Sequence, residues 1–423
     1  MDRRKFIRDS ATAGLVLAAF PGLAHTLNLA KAALPTVRRI TQGPKHHWFG
    51  YYDKWQVDPT NRYVLGMQVD FEHRTPRPDD VIKIGMIDLQ DQDRWIELGE
   101  SRAWGWQQGC MLQWLPGSRE EVIWNDRVGD TFVSHVLNMH TRQKRTLPKP
   151  VYALSPDAKW AVGLDFARLQ NLRPGYGYNG LTDRYKDVRA PEKTGIYRID
   201  LKTGKDELII PYAQCAVLPH LGQDVRDNWH WYNHLLVSPD SKRFIFLNRW
   251  RKDYEMIPGK EFTTRMFTAD KNGKDLYVLD PSGFSSHFIW RDPQHVCAWT
   301  RPEGQPDGFY LFKDKTRQVE RVGEGVMLVN GHNTYLPGHN NQWILNDTYP
   351  LTKDRLQTPY LCHVPTNKRI DLGHFPSPPE YKGEWRCDLH PRYSPDGKMV
   401  LIDSAHEGLG RQLYLIDIIP LVS

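Results

Sequence analysis

Long apolar runs, paired cysteines and dense basic tracts are all missing from this chain. Outside the N-terminal segment no stretch approaches the ~20 apolar residues that a bilayer-spanning helix needs, which excludes a helical integral membrane protein. The five cysteines, Cys110, Cys215, Cys297, Cys362 and Cys387, are scattered without a CxxC pair, and an odd number cannot complete an intramolecular disulfide framework. A formal charge of +6 and a pI near 8.9 describe a mildly basic protein. With no lysine-rich tail or long basic helix, nucleic acid is not the expected partner; the sign of the charge suits an acidic polymer or a small acid.

What is there points to short strands and turns. Fifteen Trp and 19 Tyr, set among 30 Pro and 32 Gly, favour many strands over long helices. The opening stretch, MDRRKFIRDSATAGLVLAAFPGLAHT, has paired Arg3 and Arg4, then Phe6 and Ile7, then a modestly apolar run. It resembles a twin-arginine export signal, with Asp2 where such signals often carry Ser or Thr. Residues 1–32 are therefore set aside as a targeting segment and residues 33–423 are taken as the folded domain. The expected location is periplasmic or secreted, with no membrane attachment once the signal is removed.

A strand-turn-strand unit recurs along the chain. Aligned on the turn proline, it reads WQVDPTNRYVLGM at Pro59, LQWLPGSREEVIW at Pro116, YALSPDAKWAVGL at Pro156 and LLVSPDSKRFIFL at Pro239, then FIWRDPQHVCAWT at Pro293, TYLPGHNNQWILN at Pro337 and PRYSPDGKMVLID at Pro395. Most units are followed by a second hairpin, such as GIYRIDLKTG or QLYLIDI. Four strands repeated over seven units predict an all-β fold, a seven-bladed β-propeller of four-stranded antiparallel blades around a channel. A pair of β-sandwiches is the alternative, and it leaves the regular turn unexplained. The longest interval between turns, from about residue 170 to 232, holds LQNLRPGYGYNGLTDRYKD. A Gly- and Tyr-rich insertion of this kind is expected as a rim loop over a site.

The first strand of each propeller blade lines the channel, so equivalent positions form a ring. Five residues before the turn proline stand His234, His332 and His390, and six before it stands His287. Four imidazoles from four consecutive blades are thus expected at one end of the channel as ligands of a divalent metal. Zinc or manganese is expected first, with iron and nickel also suited to imidazole and calcium left as a further option. His230 and Asp388 are possible ligands or supporting partners. The return strands bring Arg249 and Arg301 to the same rim, where a guanidinium can hold a carboxylate bidentately.

The third unit carries Tyr152 near the histidine position and Arg168 at the end of its return strand, a phenol and a guanidinium that together suggest proton transfer beside a stabilised anion. The first unit adds His46 and His47 in HHWFGYYDK and His73 in VDFEHR; the second adds Trp106, Gln107 and Gln108 in AWGWQQG. Such groups could bond sugar hydroxyls and stack on sugar rings, although packing between blades also accounts for the tryptophans.

At these residues the sequence resembles the seven-bladed propeller polysaccharide lyases, the group of oligogalacturonate, ulvan and rhamnosyl-glucuronate lyases. HHWFGYYDK, the Tyr152 and Arg168 pair, and the NHLLVSPD, GHNTYLP and DLHPRYSPDGK series carry the likeness. The resemblance implies β-elimination at a uronic acid of an anionic polysaccharide, which requires the carboxylate charge to be neutralised before the C5 proton can leave. It further implies Tyr152 as base or acid, Arg168 on the carboxylate and His73 completing the proton relay; Gln108, Trp106, Arg249, Arg301 and His47, from their places on the rim, are expected to contact substrate. The Tyr152 and Arg168 pair points to the ulvan or glucuronate branch; a metal-dependent oligogalacturonate lyase is the alternative. A non-catalytic propeller binding a glycan or protein, and a metal-dependent hydrolase, are the readings from other classes.

Overall fold

The turn that recurs through the sequence is built by its own side chains. In the computed structural model, which describes residues 34–256 and 262–422, Ser238 Oγ donates to Asp240 Oδ1 at 2.7 Å and accepts from Arg243 N at 3.0 Å. Ser155 and Ser394 bond Asp157 and Asp396 in the same way, both at 2.6 Å. The residue after each aspartate, Ala158, Ser241 or Gly397, adopts a positive φ that sends the chain back. Side-chain bonds of this kind fix a turn before any tertiary contact forms.

Each of the seven turn prolines lies between the first and second strands of a four-stranded antiparallel sheet. Seven such sheets stand in a ring as the blades of a propeller, as the repeat predicts. Innermost strands include His46–Trp48 in blade one, Trp229–Val237 in blade four, Phe288–Asp292 in blade five, Thr334–Tyr335 in blade six and Arg392–Tyr393 in blade seven. The outermost strand of blade seven is Val37–Arg39, which pairs antiparallel with Gln412–Asp417 through Val37 and Ile416. The two ends of the described chain thereby close the ring. The expected export segment, residues 1–32, lies outside the described residues.

The space between blades is filled by apolar and aromatic side chains. Trp48, Trp104, Trp106, Trp114 and Trp124 form one buried cluster across blades one and two. The long interval is only in part a loop: it contains the two outer strands of blade three, Gly195–Asp200 and Asp206–Pro211. Before them, a helix at Phe166–Leu172 is capped by Asp165, whose carboxylate accepts from Arg168 N at 3.0 Å, and it leads into the connecting loop that carries Tyr176. All five cysteines are buried and free.

Candidate functional site

The histidines expected at the channel do converge there. Tyr51, at the end of the first blade's inner strand, touches all four rings, with centroids 4.9 Å from His234, 6.5 Å from His287, 6.3 Å from His332 and 5.4 Å from His390. His287 and His332 lie 4.3 Å apart, and so do His332 and His390. His234 sits in a bulge of its strand at φ 48°, and His390 has φ 42°. Each left-handed non-glycine residue costs about 1–3 kcal/mol.

Three of the rings are oriented as ligands. His332 Nδ1 is bonded to Asp347 at 2.9 Å and His287 Nδ1 to Asn330 at 2.9 Å, so each directs its Nε2 lone pair into the channel mouth. His390 Nε2 is buried with no hydrogen-bond partner among the described residues. One ligand atom each from His332, Asp388 and His390 lie within 4.8 Å of one another. A carboxylate behind a histidine, an orphaned imidazole nitrogen and an adjacent aspartate form a donor set that fits a divalent transition-metal ion. Burial first, and then neighbouring His332, hold His287 and His390 well below the usual histidine range, the neutral form that ligation requires. His234 departs from the expected ligand set: its Nε2 lies 3.1 Å from buried Asp53 and its ring stacks on Phe288 at 3.9 Å. Burial draws it down to about 4 against the raising effect of Asp53.

Next to this cluster lies a polar cavity of about 260 Å³, walled by Arg173, Tyr176, Arg249, His287, Tyr349 and Arg386 among others. Arg386 is committed, donating to Asp388 at 2.7 Å. Arg249 and Arg173 are not: among the described residues neither has a carboxylate partner, and the Nε of each is buried without an acceptor. Burial, and then Arg173 beside it, pulls the Arg249 guanidinium down to about 10. Arg249 is buried and Arg173 half-buried, and two adjacent cations without carboxylate partners make a site that an anion would stabilise. Tyr349 OH stands 3.5 Å from both His287 Nε2 and His332 Nε2.

Other expected residues lie elsewhere. Arg168 is fully buried and spends all five N–H donors on the protein: Nε on His230 O, Nη1 on Asp183 and Tyr185 O, and Nη2 on Val188 O and Arg189 O, at 2.7–3.2 Å. No donor remains for a substrate carboxylate. Tyr152 is completely buried behind Asn233, its hydroxyl receiving Gln108 Nε2 at 2.7 Å and His234 N at 3.0 Å. Gln108 is thereby engaged one layer below the cavity. Trp106 is interior, donating to Arg74 O at 2.8 Å. His47 is clamped between Gln412 and Gln68 at 2.9 and 2.8 Å. His73 is exposed against Tyr381, away from the cavity lining. Arg301 pairs with Asp307 on the surface at 2.6 Å. His230 donates its ring to the fold, with Nε2 2.8 Å from Val225 O.

Comparison with solved structures finds the same architecture elsewhere. Oligogalacturonate lyase from Vibrio parahaemolyticus superposes with a TM-score of 0.64 at 14% identity, covering 92% of this chain and 95% of that one. An oligogalacturonate lyase in complex with manganese gives 0.63 at 15% identity, covering 91% and 94%. The fold is that of oligogalacturonate lyases. By sequence, no protein-family profile and no curated protein matches the chain.

Four residues of the site, Arg173, Tyr176, Tyr349 and Arg386, escape the repeat-based reading because they sit in loops rather than at a fixed offset from a turn proline. For two of them a signal exists. Arg173 and Tyr176 belong to NLRPGYGYNG, the Gly- and Tyr-rich run expected over a site.

Proposed function

We propose that the protein is a metal-assisted polysaccharide lyase that cleaves a uronic-acid oligosaccharide by β-elimination, with galacturonate-type substrates favoured over ulvan. The observation that carries this reading is the juxtaposition of an open histidine and aspartate cluster with two arginines lacking counter-charges at one channel mouth. Ulvan-type specificity rested on the Tyr152 and Arg168 pair, and Arg168 has no donor free. The shared fold with two oligogalacturonate lyases, one of them in complex with manganese, supports the galacturonate branch.

In this reading His332, Asp388 and His390 hold a divalent ion, with His287 alongside, and Asp347 fixes the His332 tautomer. Such an ion supplies Lewis-acid neutralisation of the uronate carboxylate. Arg249 and Arg173 complete that neutralisation, and the burial of Arg249 makes its charge felt strongly by the transition state. Manganese or zinc is the expected ion. The paired arginines near the start support export, which puts the enzyme where extracellular uronate oligomers would reach it.

Incubation with galacturonate oligomers, metal present, should produce the ultraviolet absorbance of a conjugated C4=C5 uronate. Metal analysis should find about one ion per chain, and His332→Ala should lose both ion and turnover. Arg249→Gln should lower kcat/KM by about 100-fold or more. Product sugars without unsaturation would instead identify a hydrolase, and binding without turnover a non-catalytic propeller.

A further inference from the structure

Of the three tyrosines lining the cavity, Tyr51, Tyr176 and Tyr349, the second has an unusual setting. Tyr176 OH accepts from Arg386 Nη2 at 2.7 Å, and the Arg173 guanidinium lies 5.0 Å from the centroid of its ring. Among the described residues its hydroxyl donates to no acceptor. Arg386 is in turn fixed by Asp388 of the ligand cluster, so one chain of contacts runs from that cluster to the Tyr176 oxygen.

The backbone around Tyr176 is held as firmly as its hydroxyl. Gly175 has φ +91° and its carbonyl accepts from Gln107 N at 3.1 Å. Gly177 packs so tightly that a Cβ there would stand 2.3 Å from Gln170 N and Phe166 O. A loop phenol positioned this closely is preorganised to act on a bound group.

We propose that the Tyr176 oxygen is the base that removes the proton beside the substrate carboxylate, a proposal that rests on the lyase reading above. As the phenolate, its proton lost to solvent beforehand, the Tyr176 oxygen takes the C5 proton, and the electron pair of the C5–H bond becomes the second bond between C4 and C5. The bond from C4 to the glycosidic oxygen breaks, and that oxygen keeps the pair and takes a proton from water. The Tyr176 phenol returns its proton to solvent, so no oxidant or reductant is needed. Arg386 and Arg173 stabilise the oxygen before it accepts the proton.

The charged and titratable groups facing Tyr176 are Arg386 and Asp388 from the segment before blade seven, Arg173 from its own loop, Arg249 from blade four, and Tyr51 and Tyr349 from blades one and six; His287 of blade five walls the same cavity. Burial pushes the phenol up, but Arg386 and Arg173 outweigh it and the net direction is down. Tyr51 and Tyr349 go the other way, raised chiefly by burial.

Tyr176→Phe is the test, on galacturonate oligomers with manganese present. Expected are a loss of kcat of about 100-fold or more, KM within about threefold, and an unchanged melting temperature and metal content. Wild-type activity in the Phe variant overturns the role of Tyr176 while leaving the lyase reading intact. A wild-type protein inert on every uronate oligomer overturns the lyase reading and this role with it. Arg386→Met provides a second test, even if the Phe variant fails to fold. Its ascending pH limb of kcat/KM should move to higher pH, because one stabilising cation is gone, and an unmoved limb overturns the proposal.

Discussion

Imidazoles used as internal struts make this fold sensitive to acid. Burial pulls both His47 and His230 down to about 4, whereas an unfolded chain titrates histidine near ~6.5. Between those values the unfolded state binds more protons than the folded one, so stability rises with pH across the window. It is complete above about 6.5 and is lost as the pH falls toward 4, by roughly a few kcal/mol over both groups. Melting temperatures measured at intervals from neutral pH downward should fall through this window. His230→Gln, which can keep the bond to Val225 O, should flatten the fall; an identical slope in the variant would remove His230 from the account. Arg168 and Arg249 mark the limit of what residue type reveals. By sequence both close a return strand and read as carboxylate ligands, yet Arg168 stands beyond its strand in the Phe166–Leu172 helix with five protein acceptors around it, and Arg249, inside the strand Arg243–Arg251, has a buried Nε with none. What separates them is supplied by segments remote in sequence, residues 183–189 for Arg168, which no local pattern foretells.

Among the elements, the Ser-Pro-Asp turns were legible because their cause is local: serine and aspartate bond each other and the next strand within a few residues. The ring of histidines followed from the same register, since a fixed offset from a turn is a fixed depth in the channel. The loop after the Phe166–Leu172 helix obeys no register. Its shape comes from close backbone contact at Gly177, against the helix carbonyl of Phe166 and the amide of Gln170. Gly177→Ala should therefore force the loop outward at a cost of about 1–3 kcal/mol. The variant should lose turnover out of proportion to its change in melting temperature, because Tyr176 and Arg173 ride on the displaced segment. Equal turnover in the two proteins would mean that the loop does not carry groups the reaction needs.

For the molecule as a whole, the decisive bond is the one between its ends. Without Val37–Arg39 the Gln412–Asp417 strand becomes an exposed edge, which is a template for pairing with other chains. Removal of residues 34–39 should lower the denaturant midpoint and raise the apparent mass by self-association, as seen by light scattering. A truncated protein that stays monomeric with an unchanged midpoint would show closure to be dispensable. This strand was not legible in advance: VRR is short and polar, and its partner is reached only through the full circuit of blades.

The same seam dictates the order of events in the cell. A nascent chain leaves the ribosome with its first strand in solution, and the hairpin that receives it is made last. The circle therefore closes only once the seventh blade has been made, and until then Val37–Arg39 stays an unpaired strand waiting for a partner synthesised after every other blade.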